Sequence, residues 1–251
     1  MKRVLPALLL ALGLTLAAAP ALAGDLIVSA AASLTDVLKD VQPGFEKAHP
    51  GTRLVFNMAA SGDLYRQMES GAPVDVFISA DLKWMDKAVA AKLVDFASNV
   101  KIAGNALVLA VPAGNPAKVA KVEDLLGKAV ARVGIGSPET VPAGTYAKKA
   151  LTDLGLWESL SPKFIPAESV RQVLDYLSRG EVDAGFVYAT DAKKAGTAVA
   201  VVGVVPRSET VLYPAAVVAA SAQKALAKAF VDYLVSAEAA AAWEARGFSK
   251  P

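Results

Sequence analysis

From residue 26 onward the chain alternates short apolar, β-branched runs with segments whose apolar residues recur at the helical period, and that alternation leaves little choice of fold. Consecutive parallel strands need a crossover between them, usually a helix, so such a repeat reads as β-α units gathered on mixed, largely parallel sheets. The predicted strands are 26–30, 52–58, 75–79, 107–111, 130–135, 183–187, 198–204 and 211–219. The predicted helices are 34–48, 63–70, 82–91, 144–154 and 169–178. In the last of these, Val170, Val173, Leu174 and Leu177 keep the i, i+3, i+4, i+7 spacing of one buried face. The Ala-rich segment 223–246 reads as a single long helix stopped at Gly247.

Ahead of this region, Lys2-Arg3 precedes an apolar stretch at 4–16 and the small-residue ending Ala21-Leu22-Ala23, the layout of a cleaved secretory signal over residues 1–23. The apolar part is short for a bilayer span, which makes a retained anchor the lesser alternative. With no cysteine in the chain, disulfides, thiol catalysis and a lipid-anchored cysteine behind the signal are excluded. The net charge of +2 includes Lys2 and Arg3, so the chain from residue 24 is formally neutral and offers no basic stripe to nucleic acid or an anionic membrane. Its length suits two α/β lobes, with 24–104 plus 212–251 expected in one and 105–211 in the other. The Pro-punctuated stretches 104–112 and 205–214 are candidate crossings.

Several predicted strands end at a small or hydroxyl residue that opens a helix. There the unpaired N–H groups of the first turn and the positive end of the helix dipole suit an anion without any formal cation. At the first such junction, Ser33 with Asp36 fits a capping box, a role compatible with donation outward. At Ala59-Ala60-Ser61-Gly62, Ser61 is either a donor or part of an ordinary turn, and Gly62 would admit an oxyanion close to the backbone. At Val141-Pro142-Ala143-Gly144, Pro142 suits the first helical turn and the Ala143 N–H is the candidate ligand. At Glu168-Ser169-Val170, Ser169 and Glu168 are capping candidates, and Val170 offers a backbone N–H beside a side chain that reads as core. Tyr188, ending a strand, is a packing residue or a neutral donor at a cleft.

The sequence argues against an enzyme. Its one histidine, His49, adjoins Pro50-Gly51 in a predicted surface turn, no Gly-x-Ser-x-Gly elbow occurs, and Gly134-Ile135-Gly136 lacks the third glycine of a dinucleotide loop. A receptor for amino acids would need an arginine for the carboxylate. Arg171 is the candidate, read here as a solvated helix residue.

The run Gly71-Ala72-Pro73-Val74-Asp75-Val76-Phe77-Ile78-Ser79-Ala80-Asp81, with Trp84-Met85-Asp86 behind it, closely resembles the periplasmic molybdate-binding proteins. So do Ala30-Ala31-Ala32-Ser33-Leu34-Thr35, Val141-Pro142-Ala143-Gly144-Thr145-Tyr146-Ala147-Lys148, Pro166-Ala167-Glu168-Ser169-Val170-Arg171 and Gly185-Phe186-Val187-Tyr188, in order along nearly the whole chain. The resemblance implies a two-lobed type II periplasmic-binding-protein fold holding one oxyanion, molybdate or tungstate, in the interlobe cleft. It implies ligands at Ser33, Ser61, Tyr188 and the backbones of Ala143 and Val170, molybdenum bound only as the oxyanion, and no cofactor. It further implies a periplasmic, monomeric shuttle to the permease subunits of an ABC importer. A receptor of the same fold for sulfate or an amino acid is the alternative. Relatives often carry a run of serines where this chain has Ala59-Ala60-Ser61-Gly62.

Overall fold

The computed structural model describes residues 24–251; the expected signal at 1–23 lies outside the described residues. The first sheet is built from β1 (Gly24–Ala31), β2 (Thr52–Ala59), β3 (Val76–Ile78), β4 (Val100–Asn105) and β10 (Val211–Val217), in the order β2-β1-β3-β10-β4. The second holds β5 (Leu107–Pro112), β6 (Val133–Gly136), β7 (Phe164–Ala167), β8 (Ala184–Tyr188) and β9 (Val199–Val204), in the order β7-β6-β8-β5-β9. Around them pack α1 (Thr35–Ala48), α2 (Ser61–Glu69), α3 (Leu82–Ala90), α4 (Pro142–Asp153), α5 (Trp157–Leu160), α6 (Val170–Ser178), α7 (Ala189–Ala195), α8 (Lys224–Leu234) and α9 (Ala237–Arg246). Each sheet with its helices makes one lobe. Among the described residues no helix is long and apolar enough to cross a membrane.

The sheets are less parallel than the alternation suggests. In the first, β1 pairs in parallel with β2 and β3, whereas β10 runs antiparallel to β3 and β4. The second repeats the pattern, β6 pairing in parallel with β7 and β8 while β5 runs antiparallel to β8 and β9. The cause is the connectivity. The parallel strands end at the cleft, and the strand entering each lobe from the other, β5 or β10, begins there and must run the opposite way. Leu107, the first residue of β5, accordingly faces Tyr188, the last of β8.

Strands β4 and β7 are elements the apolar pattern does not announce: β4 holds Lys101, Gly104 and Asn105, and β7 is four residues long with Pro166 inside. The expected long helix at 223–246 is two helices. Ser236 accepts the Ala239 N–H and caps α9, so the chain breaks at Val235-Ser236. Gly247, at φ 92°, ends α9 in the left-handed conformation that favours glycine.

The strand-helix junctions are held by close packing. A Cβ on Gly144 would fall on the Gly136 carbonyl, because α4 lies directly on β6 there. Gly144→Ala is expected to lower stability by about 1–3 kcal/mol, the range of overpacking. A urea midpoint matching that of the unmodified protein would show that α4 can back away at no cost.

Candidate functional site

Four of the sequence-marked junctions and the end of β8 meet at one small cavity between the lobes. Its wall includes Ser33, Ser61, Ala143, Val170 and Tyr188, all five candidates, with alanines at 31, 32, 59, 60 and 80, and no charged side chain. A hollow of about 340 Å³ near Leu234, Trp243 and Phe248 is larger, but it is walled by α8, α9 and the C-terminal tail, away from these junctions.

The local geometry turns the cavity groups into donors. Ser61, the first residue of α2, is buried, and its Oγ accepts the Ala80 N–H at 3.0 Å, which leaves the hydroxyl proton free for another partner. Ala80 is held in turn by the turn that opens α3, where Asp81 accepts the Trp84 N–H at 3.0 Å and the Ser79 hydroxyl at 3.1 Å. Neither α2 nor α4 has a side-chain cap. Pro142 opens α4, so Ala143 is its second residue, and Val170 is the first of α6; such N–H groups have no partner within their own helix. Ser169 caps α6 by accepting the Gln172 N–H at 3.2 Å. The Tyr188 hydroxyl is fully buried without a hydrogen-bond partner in the protein. Burial drives its pKa well above the usual phenol range, so it is a neutral donor.

Three readings of the sequence are corrected here. Ser33 does not cap α1: it sits in a single 3-10 turn, Ala32–Leu34, and its Oγ lies 3.2 Å from the Tyr213 hydroxyl. The N–H of Gly62 is not left for an anion, because it donates to the Thr140 carbonyl of the other lobe at 2.9 Å. Arg171 is not solvated. Its guanidinium donates across the cleft to Asp36 at 2.7 Å and to the Ser33 carbonyl at 2.8 Å, and its Nε lies 2.9 Å from Asp191 without hydrogen-bond alignment. Lys194 adds a second cross-lobe bond to Asp36 at 2.8 Å. Partial burial raises the pKa of Asp36, but the hydrogen bonds from Lys194 and Arg171 outweigh it and hold the carboxyl below its ordinary range. Fully buried Asp191 is pushed up to about 6 by desolvation, against the pull of Arg171.

Sequence reasoning missed Tyr213 and Asn105. Tyr213 lies in a predicted strand with no motif around it, and Asn105 ends a strand that was not predicted; only their meeting beside Ser33 marks them. His49 is stacked on Phe45 at 4.1 Å and does not line the cavity. Among the described residues no cluster of three or more His, Asp or Glu side chains is arranged to hold a metal ion.

Two lobes joined by paired crossings, bonded to each other over a cavity of uncharged donors, define a receptor that encloses a small solute. The model of the bacterial extracellular solute-binding proteins matches residues 26–249. The molybdate-binding protein ModA of Escherichia coli is 43% identical over 90% of this chain and 89% of its own length. That of Haemophilus influenzae is 36% identical over 99% and 98%. The solved structure of the Azotobacter vinelandii periplasmic molybdate-binding protein superposes with a TM-score of 0.79 at 27% identity, covering 90% of this chain and 99% of that one. The chain belongs to the bacterial extracellular solute-binding proteins.

Proposed function

We propose that the protein captures molybdate, and with it tungstate, in the periplasm and hands it unchanged to the permease subunits of an ABC importer. The observation that carries this reading is the uncharged cavity in which donors from sequence-distant junctions converge. The names and extents of the molybdate-binding relatives support the same reading. Ser33, Ser61 and Tyr188 would donate through hydroxyls, and Ala143 and Val170 through backbone N–H groups.

A doubly negative tetrahedral oxyanion presents acceptors on every side and strips poorly from water. Hydrogen bonds to a charged group contribute roughly 1.5–3 kcal/mol each, so five preorganised ones can offset dehydration without a cation in the pocket. The dipoles of α2, α4 and α6, each at least nine residues long, add favourable potential at their N-termini. A pocket made of donors favours an oxyanion that carries no proton of its own, which disfavours hydrogen phosphate. Cavity size, with alanine as the principal lining residue, would set the preference among fully ionised tetrahedra; it separates molybdate from the smaller sulfate and barely separates it from tungstate. Hinged closure around the ligand would report occupancy to the membrane partner.

Thermal unfolding tests the assignment. Molybdate at 1,000 times its dissociation constant is expected to add roughly 4 kcal/mol of stability, and tungstate a comparable amount. Stabilisation by sulfate, phosphate or an amino acid with none by molybdate would reassign the receptor.

A further inference from the structure

We infer that Tyr213, held by Asn105, is a positioning residue that fixes the Ser33 hydroxyl as a donor to the bound oxyanion. The inference rests on the molybdate reading of the cavity and extends it to two residues outside the cavity wall.

The polarity of the chain of contacts follows from one backbone group. The Ala106 N–H can only donate, and it lies 2.9 Å from one end of the Asn105 amide, which must therefore be the oxygen. The other end, Nδ2, lies 3.1 Å from the Tyr213 hydroxyl and 2.9 Å from Thr190 Oγ1. An amide nitrogen only donates, so the Tyr213 oxygen accepts and its own proton must go elsewhere. Ser33 Oγ is the remaining partner, at 3.2 Å. Ser33 then accepts from Tyr213, and its single proton is left for the cavity that it lines. The opposite arrangement would turn a Ser33 lone pair toward an anion and leave the Tyr213 proton without an acceptor in the interior.

Ser33, Asn105, Thr190 and Tyr213 are all buried, which restricts the access of competing water to these bonds. Burial also keeps the Tyr213 phenol protonated, by raising its pKa above the usual range. The chain stands where the lobes join: Asn105 ends β4 at the first crossing, Tyr213 lies in the returning strand β10, and Thr190 is the second residue of α7, the helix behind Tyr188.

A double-mutant cycle read by calorimetric titration of molybdate tests this, with unliganded thermal unfolding as the check on folding. Tyr213→Phe is expected to weaken binding about tenfold, the factor of one neutral hydrogen bond. In a Ser33→Ala background the same change is expected to cost nothing further, since the hydroxyl it orients is gone. A packing role would instead give the same loss in both backgrounds, and that result, or full affinity in Tyr213→Phe alone, would overturn the inference. If Tyr213→Phe fails to fold, Asn105→Ala carries the same cycle with the same expected dependence on Ser33. Full affinity in Ser33→Ala alone would strike at the cavity reading beneath, a failure distinguishable from that of Tyr213.

Discussion

Removing both serine hydroxyls, Ser33→Ala with Ser61→Ala, is expected to weaken molybdate binding by about a hundred- to ten-thousand-fold. Each hydroxyl that meets the dianion contributes roughly 1.5–3 kcal/mol, and every 1.4 kcal/mol is a factor of ten. The two single variants should part company in unliganded stability. Ser61 Oγ satisfies the buried Ala80 N–H, and a backbone N–H cannot turn to seek another acceptor. Ser61→Ala therefore carries an additional cost of about 1–3 kcal/mol in the absence of ligand. In Ser33→Ala the orphaned group is the Tyr213 hydroxyl, which can rotate about its C–O bond toward a water in the vacated space, so its unliganded stability should fall less. Titration calorimetry gives the affinities and urea unfolding the stabilities. A double variant that keeps its affinity within tenfold would show that the ion is held by other groups.

The fold was legible in the sequence as far as local patterning reaches. Short apolar, β-branched runs and period-3.6 segments locate most of the strands and helices, and small residues at the strand ends mark the junctions that line the cavity. Strand direction was harder, because β5 and β10 have the same apolar composition whichever way they run; their antiparallel placement follows from a chain that crosses the cleft twice. The break before α9 was hidden because Ser236 is one polar residue within an Ala-rich run, and only its bond to the Ala239 N–H makes it a cap.

The contacts that join the lobes were illegible for a different reason. Arg171 meets Asp36 across 135 positions, and Lys194 meets the same carboxylate across 158. No periodicity or motif links residues so far apart, and Arg171, at the start of an amphipathic helix, has the sequence surroundings of any solvated arginine. Its place next to Val170 nevertheless has a consequence. One residue of α6 opens on the cavity while the next grips the carbonyl of Ser33, so the junctions on opposite lobes are drawn together through adjacent positions.

Gly62→Ala is expected to lower molybdate affinity about ten- to a hundred-fold through closure, without touching a proposed ligand. The Gly62 N–H donates to the Thr140 carbonyl across the cleft, and an added Cβ would sit 2.7 Å from Thr140 Cα and 2.8 Å from its oxygen. Both atoms are backbone, so neither can swing aside, and the lobes would have to stop short. The overlap corresponds to an overpacking cost of about 1–3 kcal/mol borne by the closed state. The same Cβ would also lie 2.6 Å from Trp84 Cζ2 in its own lobe, so some loss of unliganded stability is expected as well. The two effects separate by measurement. Pressure on Trp84 arises within one lobe and lowers the unliganded melting temperature however the lobes stand, whereas the Thr140 clash arises only where the lobes meet as they do here. The latter should therefore appear as faster ligand release and as a smaller contraction in solution scattering on adding molybdate. Wild-type affinity and full contraction in Gly62→Ala would mean that the lobes need not meet at Thr140 to retain the ion.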